Sequence, residues 1–151
     1  MKVCLGGTFS PLHKGHKTLI KKAIELAGKN GLVFIGITVS EMTKTKGDIK
    51  SFSERKQAIE KFLSEEKLTK RVKIEPIYDR FGPSIDGDFD AIVVSKETIS
   101  AAREINKERK KLGKKPLKII EIPFILAEDD KPISSSRIRN KEIDENGKLI
   151  R

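Results

Sequence analysis

The sequence is poor in aromatic residues and almost without cysteine. Tryptophan is absent, tyrosine occurs once, and aromatic residues make up 5% of the 151 positions. Stacking platforms for single-stranded nucleic acid are built from aromatic side chains, so that mode of binding is poorly supplied. The one cysteine, Cys4, excludes an internal disulfide. No segment reaches the roughly 20 consecutive apolar residues that span a bilayer. The apolar start at Met1–Gly7 is too short for a secretory signal. These absences lead to the expectation of a cytoplasmic protein without a membrane partner. Catalytic signatures are missing as well. No Gly-x-Ser-x-Gly elbow offers a serine nucleophile, and no Gly-x-x-x-x-Gly-Lys-Ser/Thr loop offers a P-loop. The two histidines lack a third Cys or His ligand nearby, which disfavours zinc.

What the chain has in excess is positive charge. Thirty-two basic against 22 acidic residues give a net charge of +10. Such a surface attracts polyanions in general. The lysines are scattered rather than gathered into an arginine-rich tract, so small phosphorylated substrates are favoured over nucleic acid.

Apolar runs and helix-period segments alternate along the chain. Strands are expected at 2–5, 32–38, 72–77, 91–94 and 117–122. Helices are expected at 16–27, from a Ser53 cap through Leu63, and at 95–112. A further helix start falls at Ile133-Ser134-Ser135-Ser136-Arg137-Ile138-Arg139. This order predicts an α/β fold. It is a single-domain, Rossmann-like, doubly wound sheet of five mainly parallel strands with helices on both faces. Residues 1–140 form the domain in this reading, and 141–151 form a polar C-terminal tail.

Both histidines lie in His13-Lys14-Gly15-His16, directly after the first strand. Gly6 and Gly7 permit a sharp turn and close approach of a ligand. Gly15 leaves room at the helix start, where backbone N–H groups and the helix dipole face an anion. The imidazoles add donors for phosphate oxygens. A second anion site is expected at Ser134, Ser135, Ser136 and Arg137, where hydroxyls and a guanidinium crowd another helix start. Serine capping alone explains the hydroxyls equally well. Lys44 or Lys46, after the second strand, reaches toward a phosphate that bridges two substrates; a solvated lysine is the plainer account of either. The turn Ser95-Lys96-Glu97-Thr98 also opens at the ligand edge.

The segment Gly7-Thr8-Phe9-Ser10-Pro11-Leu12-His13-Lys14-Gly15-His16, with Ile133–Arg139 near the other end, resembles the two signatures of the His-x-Gly-His nucleotidyltransferases. Within that superfamily the chain is similar to the archaeal and eukaryotic phosphopantetheine adenylyltransferases. The closer likeness lies in Gly36–Met42, Ser53-Glu54-Arg55, Phe81-Gly82-Pro83-Ser84, Asp90–Thr98 and Gly113–Leu117. The resemblance implies transfer of an adenylyl group from ATP to 4′-phosphopantetheine, giving dephospho-coenzyme A and pyrophosphate, by in-line attack without a covalent intermediate. It implies Mg²⁺ bound with ATP rather than by protein ligands, and dephospho-coenzyme A or coenzyme A as product or inhibitor.

It assigns transition-state stabilisation to His16 and the ATP phosphates to His13. Gly7, Gly15, Thr8 and Phe9 stand beside the nucleotide, with Thr8 also at the acceptor phosphate. Ser134, Ser135, Ser136 and Arg137 grip the outer phosphates. Lys44 bridges acceptor and α-phosphate, with Lys46 as the alternative. The arginine-rich turn of the bacterial branch is replaced here by Val94–Thr98, leaving Lys96 or Arg103 as substitutes. Other readings are an adenylyltransferase for nicotinamide mononucleotide or a flavin, and a basic nucleic-acid-binding module on the same fold.

Overall fold

The computed structural model describes residues 1–39, 49–68, 71–79 and 81–150. Five strands form one sheet: β1 (Lys2–Gly7), β2 (Leu32–Thr38), β3 (Val72–Ile77), β4 (Ala91–Val94) and β5 (Lys118–Glu121). Their order is β3-β2-β1-β4-β5, and every described pairing is parallel. The helices are α1 (Lys14–Ala27), α2 (Phe52–Glu65), α3 (Ile99–Lys111) and the short α4 (Ser135–Arg139).

Period-2 alternation sorts the strand residues onto two faces. Val3, Leu5, Val33, Ile35, Ile37, Ala91 and Val93 pack with Ile20 and Ala23 of α1 and Ile59 and Phe62 of α2. Cys4, Ile92 and Val94 turn the other way, onto Ala102 and Ile105 of α3. A strand covered on both faces must be apolar throughout, which is why β4 is four consecutive buried residues. The doubly wound architecture expected from the sequence is the one found.

The chain builds β1, β2 and β3 outward, then returns to lay β4 on the other side of β1. That reversal opens a crevice at the carboxyl ends of β1 and β4, where open α/β sheets bind ligands. Among the described residues, no helix is long and apolar enough to cross a membrane.

Three helix starts differ from expectation, α1 beginning at Lys14 rather than His16. α2 is capped by Ser51, whose hydroxyl accepts from the Glu54 N–H at 3.1 Å, rather than by Ser53. The Ser51-x-x-Glu54 spacing is that of a capping box. α3 begins at Ile99, because the Thr98 hydroxyl accepts the Ser95 N–H at 3.2 Å and makes Ser95–Thr98 a turn of its own.

Residues 141–150 are not an open tail. Ile143 is 0% exposed and forms a small third core with Ala127 and Ile133, against which Leu149 packs. Ile143 and Leu149 bridge antiparallel around a turn. Asp144 Oδ1 accepts from the N–H groups of Asn146 and Lys148, both at 2.9 Å, and Gly147 takes φ +84°. Two apolar residues in a polar segment thus anchor it. Burying one isoleucine contributes roughly 1.5–3 kcal/mol.

Candidate active site

A cavity of about 760 Å³ lies at the switch point. Gly6, Gly7 and Thr8 from the end of β1, Val94 and Ser95 from the end of β4, the two histidines and Ser134–Ser136 all line it. Its polar lining includes His13, His16, the serines and Arg139, and its apolar lining includes Cys4, Phe34, Ile77, Phe81, Pro83, Ile92 and Ile105.

His13 is the N-cap of α1, with extended φ −126° and ψ 177°. Its Nδ1 accepts from the N–H of Gly15 at 3.0 Å and of His16 at 3.4 Å. The His13 N–H donates in return to His16 Nδ1 at 3.2 Å. This is a capping box in which imidazoles replace serine and glutamate. A backbone N–H can only donate, so both Nδ1 atoms carry lone pairs. Each neutral ring therefore holds its proton on Nε2. The rings stack with centroids 3.7 Å apart and planes 21° from parallel.

The expected free N–H groups at this helix start are not found. Gly15 and His16 donate to His13, and the Lys14 N–H donates to the Glu145 carbonyl at 3.0 Å. The imidazoles consume the backbone donors and leave Nε2–H groups in their place. Gly15 is required for this geometry: a Cβ there would meet His13 Cε1 at 2.9 Å.

Burial pushes the His13 pKa down to about 4. His16 is pushed down to about 3, first by burial and then by its neighbour His13, against a smaller upward pull from its ring's bond to the Pro11 backbone. Both rings are thus uncharged at neutral pH and serve as donors without needing a proton from solvent. The sign fixes an observable. Raising pH through 6.5 removes nothing from either ring, so kcat/KM for the free enzyme shows no descending limb there. The expected profile is level from pH 6.5 to 8. A fall centred near 6.5 would instead identify a working imidazolium. The same depression ties stability to pH: the contribution is complete above 6.5 and is lost as pH falls toward 4 and 3.

Phe9 supports the pair from below. It is 2% exposed, takes the left-handed φ of +54°, and packs its ring 4.9 Å from that of His16. A non-glycine residue in that region is held only where its surroundings fix it. Phe9 lines the cavity, yet its ring is spent on His16. Thr8 is held through its hydroxyl, which accepts from Thr38 Oγ at 3.1 Å.

The serine cluster closes the opposite wall. Ser134 caps α4 by accepting the Arg137 N–H at 3.2 Å, and Ser135 Oγ donates to the Pro11 carbonyl at 3.5 Å. The two arginines of this segment differ. Arg137 is committed away from the cavity: Nη2 pairs with Asp129, Nη1 donates to the Pro132 carbonyl at 3.0 Å, and Nε lies 3.5 Å from Glu142. Its hydrogen bond holds the Asp129 carboxyl below the usual carboxylate range. Arg139 lines the cavity instead, with Nη1 donating to the Ser10 carbonyl at 2.6 Å and Nη2 at 3.5 Å from Ser136 Oγ.

Gly7, Thr8, Phe9, His13, Gly15, His16, Ser134, Ser135 and Ser136 are thus brought around one cavity. Arg137, Lys96 and Arg103 are not among its lining residues. Lys96 lies 5.9 Å over the Phe124 ring, and Arg103 is exposed on α3. Lys44 and Lys46 lie outside the described residues. Sequence reasoning missed Arg139, Thr38 and the apolar lining. Arg139 closes the Ile133–Arg139 motif, so a signal for it existed.

The chain matches the cytidylyltransferase-like family over residues 4–141. It is 44% identical to the phosphopantetheine adenylyltransferase of Methanosarcina acetivorans over 151 residues, 99% of this chain and 96% of that protein. The Archaeoglobus fulgidus phosphopantetheine adenylyltransferase is 40% identical, over 99% of this chain and 100% of that one. A crystal structure of an Archaeoglobus fulgidus protein of unknown function superposes with a TM-score of 0.73 at 37% identity, covering 81% of this chain and 89% of that one. With the histidine loop and serine cluster facing each other across the switch-point cavity, these likenesses place the chain in the cytidylyltransferase-like nucleotidyltransferases, as a member of the phosphopantetheine adenylyltransferase family.

Proposed function

We propose that this protein transfers the adenylyl group of ATP to 4′-phosphopantetheine, forming dephospho-coenzyme A and releasing pyrophosphate. The observation that carries the reading is the mixed lining of the cavity. Its imidazoles, hydroxyls and guanidinium suit a triphosphate, and its apolar side chains suit the long, weakly polar arm of a pantetheine acceptor. The relatives bearing that activity support the same acceptor.

An oxygen of the acceptor phosphate attacks the α-phosphorus of ATP. The bond from that phosphorus to the bridging oxygen breaks, and pyrophosphate leaves with the electron pair. Catalysis of such a transfer is positioning together with stabilisation of developing charge. His16 Nε2–H donates to the α-phosphate as its charge redistributes, and His13 Nε2–H holds a neighbouring phosphate oxygen. The Ser134–Ser136 hydroxyls and Arg139 hold the outer phosphates, and Lys44, or Lys46, bridges the attacking and attacked groups.

The donor is taken as Mg²⁺-ATP. Triphosphate oxygens are the hard ligands that Mg²⁺ favours, so the ion would enter with the nucleotide. With ATP as co-substrate, the reaction belongs to the cytoplasm. Coenzyme A, which shares the acceptor's arm and the product's nucleotide, is expected to compete for the cavity.

Pyrophosphate release tests the reading. ATP, Mg²⁺ and phosphopantetheine are expected to give turnover, and nicotinamide mononucleotide at least about 100-fold less kcat/KM, since a hydrophilic ribose leaves the apolar side chains of the lining uncovered. Equal or faster turnover with nicotinamide mononucleotide overturns the acceptor assignment.

A further inference from the structure

Arg55 of α2 is 3% exposed, and its described partners are main-chain carbonyls. Nε donates to the carbonyl of Lys50 at 2.9 Å and of Ser51 at 3.3 Å. Nη1 donates to the carbonyl of Thr8 at 3.1 Å and of Thr38 at 2.6 Å. Among the described residues no carboxylate pairs with it. Burying an unpaired cation is costly, and an apolar side chain would fill the same space more cheaply. The retained guanidinium therefore needs a reason in what it joins.

It joins three separate segments. Thr8 lies in the loop that leads from β1 to the histidines. Thr38 is the last residue of β2. Lys50 and Ser51 lead into α2. Along the chain, residues 40–48 run from the second of these segments to the third, and they carry Lys44 and Lys46. One planar fork thus fastens the residues on both sides of the lysine-bearing segment, and the same fork holds the histidine loop. Two further contacts tighten the junction: the Thr38 hydroxyl donates to Thr8 Oγ at 3.1 Å, and the Lys50 N–H donates to Ser10 Oγ at 3.2 Å.

We infer that Arg55 is a positioning residue that sets the register between the histidine loop, the end of β2 and the start of α2, and so aligns acceptor with donor. It acts through backbone carbonyls and touches neither substrate. The inference rests on the adenylyl-transfer reading above. A point charge cannot replace it, because a lysine ammonium lacks the fixed fork that reaches carbonyls in different directions.

The test compares the full chain with Arg55→Lys and Arg55→Ala, using ATP and phosphopantetheine. Arg55→Lys is expected to melt cooperatively above the assay temperature. Its kcat is expected to fall about 100-fold, the scale of a misalignment near 1 Å, while KM for ATP stays within about threefold. In Arg55→Ala, added methylguanidinium is expected to restore kcat at least about tenfold, which a loss confined to stability would not permit. An Arg55→Lys enzyme with kcat within about threefold of wild type overturns the inference while leaving the functional reading intact. Wild-type protein that forms no pyrophosphate with these substrates overturns both.

Discussion

Replacing His16 by alanine is expected to lower kcat by about 10²–10³-fold, with KM for ATP changed by less than about threefold. The magnitude is that of removing one preorganised donor from a site of developing charge, about 3–4 kcal/mol. The separation of kcat from KM follows if the Nε2–H bond strengthens mainly in the transition state. The structure adds a complication and a way around it. His16 Nδ1 also accepts the His13 N–H at 3.2 Å, and the two rings stack. Alanine therefore removes the donor, half of the capping box and the stack together. His16→Asn separates them. Asparagine can place an acceptor where Nδ1 stood but has no group at the position of Nε2. Both variants are expected to lose the same kcat, whereas the melting temperature falls further in the alanine variant. Steady-state pyrophosphate release and thermal melts read the two quantities. An asparagine variant with near-normal kcat would assign His16 to the architecture of α1 alone.

The sheet was legible because a buried parallel strand writes itself as an unbroken apolar run. Ala91-Ile92-Val93-Val94 is such a run, apolar on both faces. The histidine loop was legible for another reason: two scarce residues stand three apart at a strand-to-helix junction. What they do to one another was not legible. Serine and glutamate are the familiar partners of a capping box, and the same three-residue spacing in His13 and His16 passed unread. The expectation of free N–H groups failed on that point. The C-terminal segment was misread because composition averages over it: eight mostly polar residues hide the apolar pair, Ile143 and Leu149, that pins them. Lys96 and Arg103 were reached by elimination, and elimination carries no geometry. Arg55 carries no local signal beyond its place in Ser53-Glu54-Arg55. Its burial depends on carbonyls at Thr8 and Thr38, which lie 47 and 17 positions away.

The same limit separates Arg137 from Arg139, and here it leads to an experiment. Two residues apart on a helix are about 200° apart around its axis. One of them must turn from any wall the other faces, and the motif Ser134-Ser135-Ser136-Arg137-Ile138-Arg139 does not say which. The structure gives Arg137 to Asp129, Glu142 and the Pro132 carbonyl, where it ties α4 to the neighbouring loop and the C-terminal turn. Arg139 stands on the cavity wall among the serines, anchored on the Ser10 carbonyl of the histidine loop.

Arg139→Ala is therefore expected to raise KM for ATP by about 10–100-fold, the worth of one charge-assisted hydrogen bond to phosphate at roughly 1.5–3 kcal/mol. Its melting temperature should change little without ligand. Arg137→Ala is expected to do the reverse: a lower melting temperature, with KM for ATP within about threefold of wild type below the transition. The Arg137 effect should also carry a pH signature. Its partner Asp129 is held ionised by the hydrogen bond from Arg137, so the stabilisation is present above the ordinary carboxylate range and is lost as pH falls through the lowered pKa. Arg137→Ala should therefore narrow its stability deficit toward acid, while the Arg139→Ala defect in ATP binding does not depend on Asp129 at all. If instead Arg137→Ala raised KM for ATP and Arg139→Ala left it unchanged, the outer phosphates would be held on the other side of α4, and the cavity wall assigned to them would be wrong.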